Sequence, residues 1–90
     1  MTKELLVAKM ARDAKITKRA AEVALNSFIL GVRGALKRGE RVSLVGFGTF
    51  LVGRRAARNG RDPRTGKPIK IGAMRVPRFR PGQALRDVVR

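Results

Sequence analysis

From Gly53 to Arg80 the chain carries ten basic side chains and a single acid, Asp62. Ile69, Ile71 and Met74 are its only large aliphatic side chains before Val76. A stretch of this kind cannot bury itself in a core, because unpaired charges are expensive to remove from water. At its centre, GRDPRTGKP (60–68) sets two prolines and two glycines among Arg61, Arg64 and Lys67. Extended basic segments near 53–60 and 68–77 flank this turn. They predict a two-stranded ribbon without a core face. An isolated ribbon is barely stable in water. The remaining residues must support it, and a domain of about 60 residues is already marginal by itself. A second chain sharing the core answers that difficulty, and a bound polyanion would order the ribbon.

The rest of the chain supplies the support. Thr2 can cap a first helix over 3–14, with Glu4 in the turn where the helix dipole favours an acid. Thr17 can cap a second helix over 18–38. Ala21, Leu25, Phe28, Val32 and Leu36 recur at intervals of four, three, four and four, which is one helical face. Ala24, Ile29 and Ala35 widen that stripe, and Gly39 supplies the stop. The period then changes. RVSLVGFGTFLVG reads as two short strands joined by a turn at Gly46 and Gly48. After the ribbon, PGQALRDVV starts a short final helix with Pro81 and Gly82. The chain is thus read as one α+β domain: a helical base over 1–40, strands over 41–81 with an arm over 53–77, and a helix over 82–90.

Charge narrows the function. Lys and Arg total 22 against 6 acids, a net charge of +16. Residues 41–90 hold 13 basic and 2 acidic residues, and 11 of the 13 are arginine. Arginine's planar fork suits phosphates and narrow minor grooves. A solvated face normally interleaves both signs, and this segment does not, so nucleic acid is the first partner to consider. A membrane surface is the weaker candidate, because interfacial binders oppose their charge with an apolar face. No apolar run approaches the roughly 18 residues of a membrane span. The chain has neither His nor Cys. Ser27 and Ser43 therefore lack a histidine base, and the scattered acids offer no metal-ligand spacing. Neither catalysis nor a cofactor is expected. Phe47 and Phe50 lie in an apolar strand pattern and read as core rather than as stacking platforms for unpaired bases.

GFGTF (46–50), RAARNGRDPRTGKPIKI (55–71) and VPRFRPGQALRDVV (76–89), in this order after two helices, resemble the bacterial HU and integration host factor family of DNA-bending proteins. The resemblance runs over essentially the whole chain. It implies an HU-like intertwined dimer with a helical base, a β-saddle and two extended β-ribbon arms that wrap the minor groove of double-stranded DNA, preferably bent or distorted. A proline at each arm tip wedges between base pairs, the mechanism known for this class of minor-groove binder. It further implies a histone-like protein of the bacterial cytoplasm and nucleoid, without cofactor, acting as a homodimer or as a heterodimer with a paralogue.

Carried over by position, Pro63 is the wedge and Arg58 and Arg61 flank it in the groove. Arg54, Arg55, Arg64, Lys67, Lys70 and Arg75 line the arm. Arg78, Arg80 and Arg86 fit phosphate contacts on the saddle flank, and Lys3 approaches the backbone from a helix N-terminus. Phe28, Phe47, Phe50 and Phe79 form the shared dimer core. Two positions depart from the family pattern. Asp62 stands where Asn is usual, placing an acid beside the groove, and Gln83 stands where a phosphate-binding Lys is usual. The leading reading is a low-specificity DNA bender that compacts DNA. A sequence-preferring subunit like integration host factor is the alternative, and an RNA-binding module is a further one.

Overall fold

The computed structural model describes residues 1–90, with the side chain of Ile71 outside the description. The architecture is α+β. The chain divides into two units, Met1–Gly34 and Ala35–Arg90, the division falling inside the second helix.

The first unit contains α1 (Lys3–Ala14) and most of α2 (Lys18–Lys37). Thr2 caps α1 as expected, its Oγ1 accepting the Leu5 N–H at 3.3 Å. Thr17 caps α2 in the same way through the Ala20 N–H at 3.0 Å. α1 ends at Ala14, where the sequence placed its limit, although no glycine marks the stop. Lys15 takes a left-handed conformation (φ 56°), and the Ile16 N–H returns to the Ala11 carbonyl at 3.0 Å. Val7, Ala11 and Ala21 form a small buried cluster, with Met10 and Leu25 packed against it. Lys9 pairs with Asp13 one turn on, and that hydrogen bond holds the Asp13 carboxyl below its ordinary value.

The second unit begins with the last turn of α2. The helix ends at Lys37, one residue before the expected limit, and Gly39 (φ 79°) reverses the chain. Arg38 then pairs with Glu40, and its hydrogen bonds hold the Glu40 carboxyl below its ordinary value. Three antiparallel strands follow in the order β1–β2–β5: β1 (Val42–Leu44), β2 (Gly48–Arg55) and β5 (Met74–Pro81). Phe50 stands opposite both Val42 and Phe79, which sets the register. β5 is an edge strand and so tolerates Pro77 and Pro81. Their spacing of four lets both ring nitrogens face away from β2.

Three expectations are corrected here. Gly46 (φ 83°) makes the β1–β2 turn, but Gly48 does not. Gly48 is the buried first residue of β2, and an added Cβ would lie 2.5 Å from the Phe79 ring and 2.7 Å from the Arg80 carbonyl oxygen. Pro81 ends β5 instead of starting a helix, and α3 runs Gln83–Val89 with Gly82 at its N-cap. The ribbon is not continuous. β2 and β5 pair as far as Arg55 and Met74, the ladder breaks at Ala56–Ala57 and Gly72–Ala73, and a separate hairpin follows. That hairpin is β3 (Arg58–Arg61) with β4 (Pro68–Ile71).

Burial is sparse. Among the described residues only Val7, Ala11, Ala21 and Ala35 are buried apolar side chains, and no large side chain is fully enclosed. Phe28, Leu30, Phe47 and Phe79 remain 42%, 62%, 44% and 38% exposed.

Candidate nucleic-acid interface

Alternation along a strand sends successive side chains to opposite faces. Applied to the β2–β5 register, it sorts the arginines into two sets. Val42, Leu44, Phe50, Val52 and Phe79 share one face, and Arg54 and Arg75 lie on it too. Ser43, Thr49, Leu51, Arg55, Arg78 and Arg80 share the other. Ser43 and Thr49 hydrogen-bond across it at 3.2 Å. Beside β1 the sheet is therefore apolar on the phenylalanine side, with Arg54 and Arg75 joining that side only toward the arm. Arg55, Arg78 and Arg80 stand on the other side among Leu51, Met74 and Val76. On the apolar side Phe79 stacks obliquely on Phe50 and Phe47, with ring centroids 4.9 and 5.3 Å apart. On the other side the Arg78 side chain lies across Gly53, in space that any Cβ at Gly53 would occupy.

Arg75 was expected to line the arm. In the structure it donates to the carbonyl oxygens of Leu36 and Lys37 at 2.9 and 3.2 Å. Those carbonyls belong to the last turn of α2, where backbone acceptors lack intrahelical partners and a cation is favoured. Arg75 is thus engaged in tying the arm root to the end of α2.

The tip hairpin has its own faces. Asn59, Arg61 and Lys70 share one, and Arg58 shares the other with Ile69. The connecting turn is dense in hydrogen bonds. The Asp62 N–H donates to the Lys67 carbonyl at 2.8 Å, and the Gly66 N–H donates to the Asp62 carbonyl at 2.7 Å. Asp62 Oδ1 accepts the Arg64 N–H at 2.8 Å, and Thr65 Oγ1 accepts the Lys67 N–H at 3.3 Å. Arg61 donates to the Gly66 carbonyl at 3.3 Å. Gly66 has φ 70°, the left-handed position that its place in the turn suggested. Pro63 lies exposed within this turn, as do Arg64 and Lys67.

The remaining expected residues are dispersed. Arg86, on α3, donates to Gln83 Oε1 at 3.2 Å, and Gln83 donates to Asp87 Oδ1 at 2.8 Å. Gln83, which stands where a phosphate-binding Lys is usual, is therefore engaged along the helix surface. In the first unit Lys3 lines a cleft with Glu4, Val7, Lys18 and Glu22. Lys18 and Asn59 are neighbours of the expected set that sequence reasoning missed. The helix starts that bring Lys18 beside Lys3 were legible from the caps, but their proximity was not. Among the described residues no cluster of acids could hold a metal ion, and no helix is long and apolar enough to cross a membrane.

Comparison with known proteins agrees with this arrangement. A family model described as bacterial DNA-binding protein matches residues 1–90. The DNA-binding protein HU-beta of Pseudomonas aeruginosa is 54% identical over 89 residues, covering 99% of each chain. The HU-beta protein of Escherichia coli K12 matches at the same identity and coverage. Among solved structures, an HU–DNA cocrystal structure from Anabaena has a TM-score of 0.96 at 39% identity, covering 99% of this chain and 97% of that one. HU from Thermotoga maritima has a TM-score of 0.72 at 29% identity, with full coverage of both chains.

Proposed function

The chain belongs to the bacterial DNA-binding protein family, that of the HU proteins, and from this premise we propose that it is an architectural protein that bends and compacts double-stranded DNA. The observation that carries this reading is the division of the β2–β5 sheet. Arg55, Arg78 and Arg80 stand on the face opposite Phe50, Val52 and Phe79. Cations gathered on one side of a rigid sheet follow a phosphate backbone and release its counterions. Such contacts position the duplex without reading sequence.

The tip supplies the bending step. Pro63 is an exposed apolar ring held in a turn with five hydrogen bonds around it. A rigid wedge between base pairs costs a few kcal/mol of stacking, which the longer contact of a bent duplex offsets. Arg58, Arg61 and Lys70 flank the wedge, and Arg64 and Lys67 lie within the turn itself. Low sequence preference follows from contacts made mostly to backbone. The HU-beta relatives favour this reading over that of a sequence-preferring subunit like integration host factor. The site of action is the bacterial nucleoid.

The working unit is a homodimer. The chain exposes 7622 Å² of surface, whereas a compact monomer of this mass exposes about 5,200 Å². The arm accounts for part of the excess. The half-exposed Phe47 and Phe79, and in the first unit Phe28 and Leu30, supply apolar surface for a second copy.

The test is the bend angle, read by energy transfer between the ends of a labelled duplex. Pro63→Ala should shrink the bend strongly and weaken binding only modestly. Arg80→Ala is the control, because it removes a sheet cation and leaves the tip intact. Arg61→Ala would serve less well, since Arg61 also holds the Gly66 carbonyl. A Pro63→Ala protein that bends DNA like the parent would mean that the proline is a turn residue only.

A further inference from the structure

Asp62 ties the tip turn together through three groups. Its carboxylate accepts from Arg64, its N–H donates to Lys67 and its carbonyl accepts from Gly66. The side chain is half-buried, and thus held in place next to Pro63. A carboxylate offers about four acceptor sites and no donor. The Arg64 N–H uses one of them. The others lie one residue from the wedge, about 3.8 Å along the backbone. A base pair opened by Pro63 therefore brings its minor-groove edge within reach of an acceptor that has capacity left.

The minor groove answers such a group in two ways. An A·T pair presents only acceptors there, while a G·C pair adds the guanine N2 amino donor. An acceptor-only side chain is repelled by the first and bonds to the second. Asparagine, usual at this position in the family that the chain resembles, carries both a donor and an acceptor and meets either edge. We propose that Asp62 is a specificity-determining residue that directs the proline wedge to steps containing a G·C pair, through a hydrogen bond from the guanine amino group to the carboxylate. The proposal rests on the wedge reading of Pro63. Arg61 and Arg64 on either side keep the tip cationic, so the preference acts on where the wedge enters and leaves the overall attraction to DNA in place.

Inosine provides the test, because it is guanine without the N2 amino group. Duplexes bound by the parent protein are selected from random DNA, and guanine is then replaced by inosine at the kinked steps. The parent should select guanine at those steps and lose about fivefold in affinity on the inosine twin, the scale of one groove hydrogen bond. Inosine pairs stack and pair more weakly, so deformability alone would raise the affinity. Asp62→Asn keeps an oxygen for the Arg64 N–H and should bind the twins equally, and both more tightly than the parent binds them. Equal or tighter binding of the inosine duplex by the parent would overturn the assignment. Bend angles on the same duplexes separate the two readings. Without any bend, the wedge fails and takes this assignment with it. With equal bends and equal affinities, the role of Asp62 alone fails.

Discussion

Arg75 reaches across 39 residues of sequence to donate to the carbonyl oxygen of Leu36 at 2.9 Å. This gives one arginine of a cationic arm a structural task. Arg75→Ala removes its bonds to the Leu36 and Lys37 carbonyls, the first of which still accepts the Gly39 N–H at 3.0 Å, and should cost about 0.5–1.5 kcal/mol of stability, the usual net worth of such bonds. It should barely change the salt dependence of DNA binding. Arg80→Ala, on the opposite face, should do the reverse, leaving stability nearly unchanged and lowering the magnitude of the salt slope by about 1.8, or about 0.9 for each of the two copies in a dimer. Thermal melts and binding isotherms over a salt series read both effects.

Gly48 is the glycine whose replacement should be felt most in β2. A methyl group there meets the Phe79 ring at 2.5 Å and the Arg80 carbonyl at 2.7 Å, and backbone cannot swing aside as a side-chain end can. Gly48→Ala should cost about 1–3 kcal/mol, as overpacked sites do. Gly72→Ala is the comparison, since nothing lies within 4 Å of its added Cβ. Its melting temperature should stay close to that of the parent.

Dimerisation makes stability depend on concentration. The melting temperature should rise with protein concentration, and sedimentation equilibrium in high salt should give twice the 9.9 kDa chain mass. A folded monomer at micromolar concentration would contradict the shared core. Phe79→Ala should weaken the dimer and the sheet together, because Phe79 contacts both Phe47 and Phe50 within one chain.

Binding to duplex DNA should fall steeply with salt. A dimer neutralising six phosphates should lose on the order of a thousandfold in affinity between about 50 and 200 mM salt. A nearly flat isotherm series would mean that the charge serves another purpose.

The helices were legible because their signals are local. The stripe from Ala21 to Leu36 and the caps at Thr2 and Thr17 need only neighbouring residues to be read, and the structure contains both helices. The sorting of the arginines was not legible. Arg54 and Arg55 are adjacent and chemically identical, and they part only once pairing with Arg75 and Met74 sets their faces. The basic arm shows no apolar alternation from which to infer those faces. The role of Gly48 was hidden for the same reason, since its partner Pro81 and the Phe79 ring lie some thirty positions away in sequence. Lys15 could not be foreseen as a left-handed cap, because lysine carries no preference for that conformation.

The alternation along β5 also bears on how such chains can change length. Val76, Arg78 and Arg80 share one face, with Pro77 and Phe79 on the other. Inserting or deleting one residue in this strand would exchange the two sets, setting arginines toward the phenylalanine side and Phe79 toward the side that now carries Arg78 and Arg80. Length variants inside β5 are therefore filtered by parity. The break is different, because Ala56–Ala57 and Gly72–Ala73 face each other outside both ladders. A lineage can lengthen, shorten or exchange the tip at that joint as a cassette, while the root sheet keeps its register.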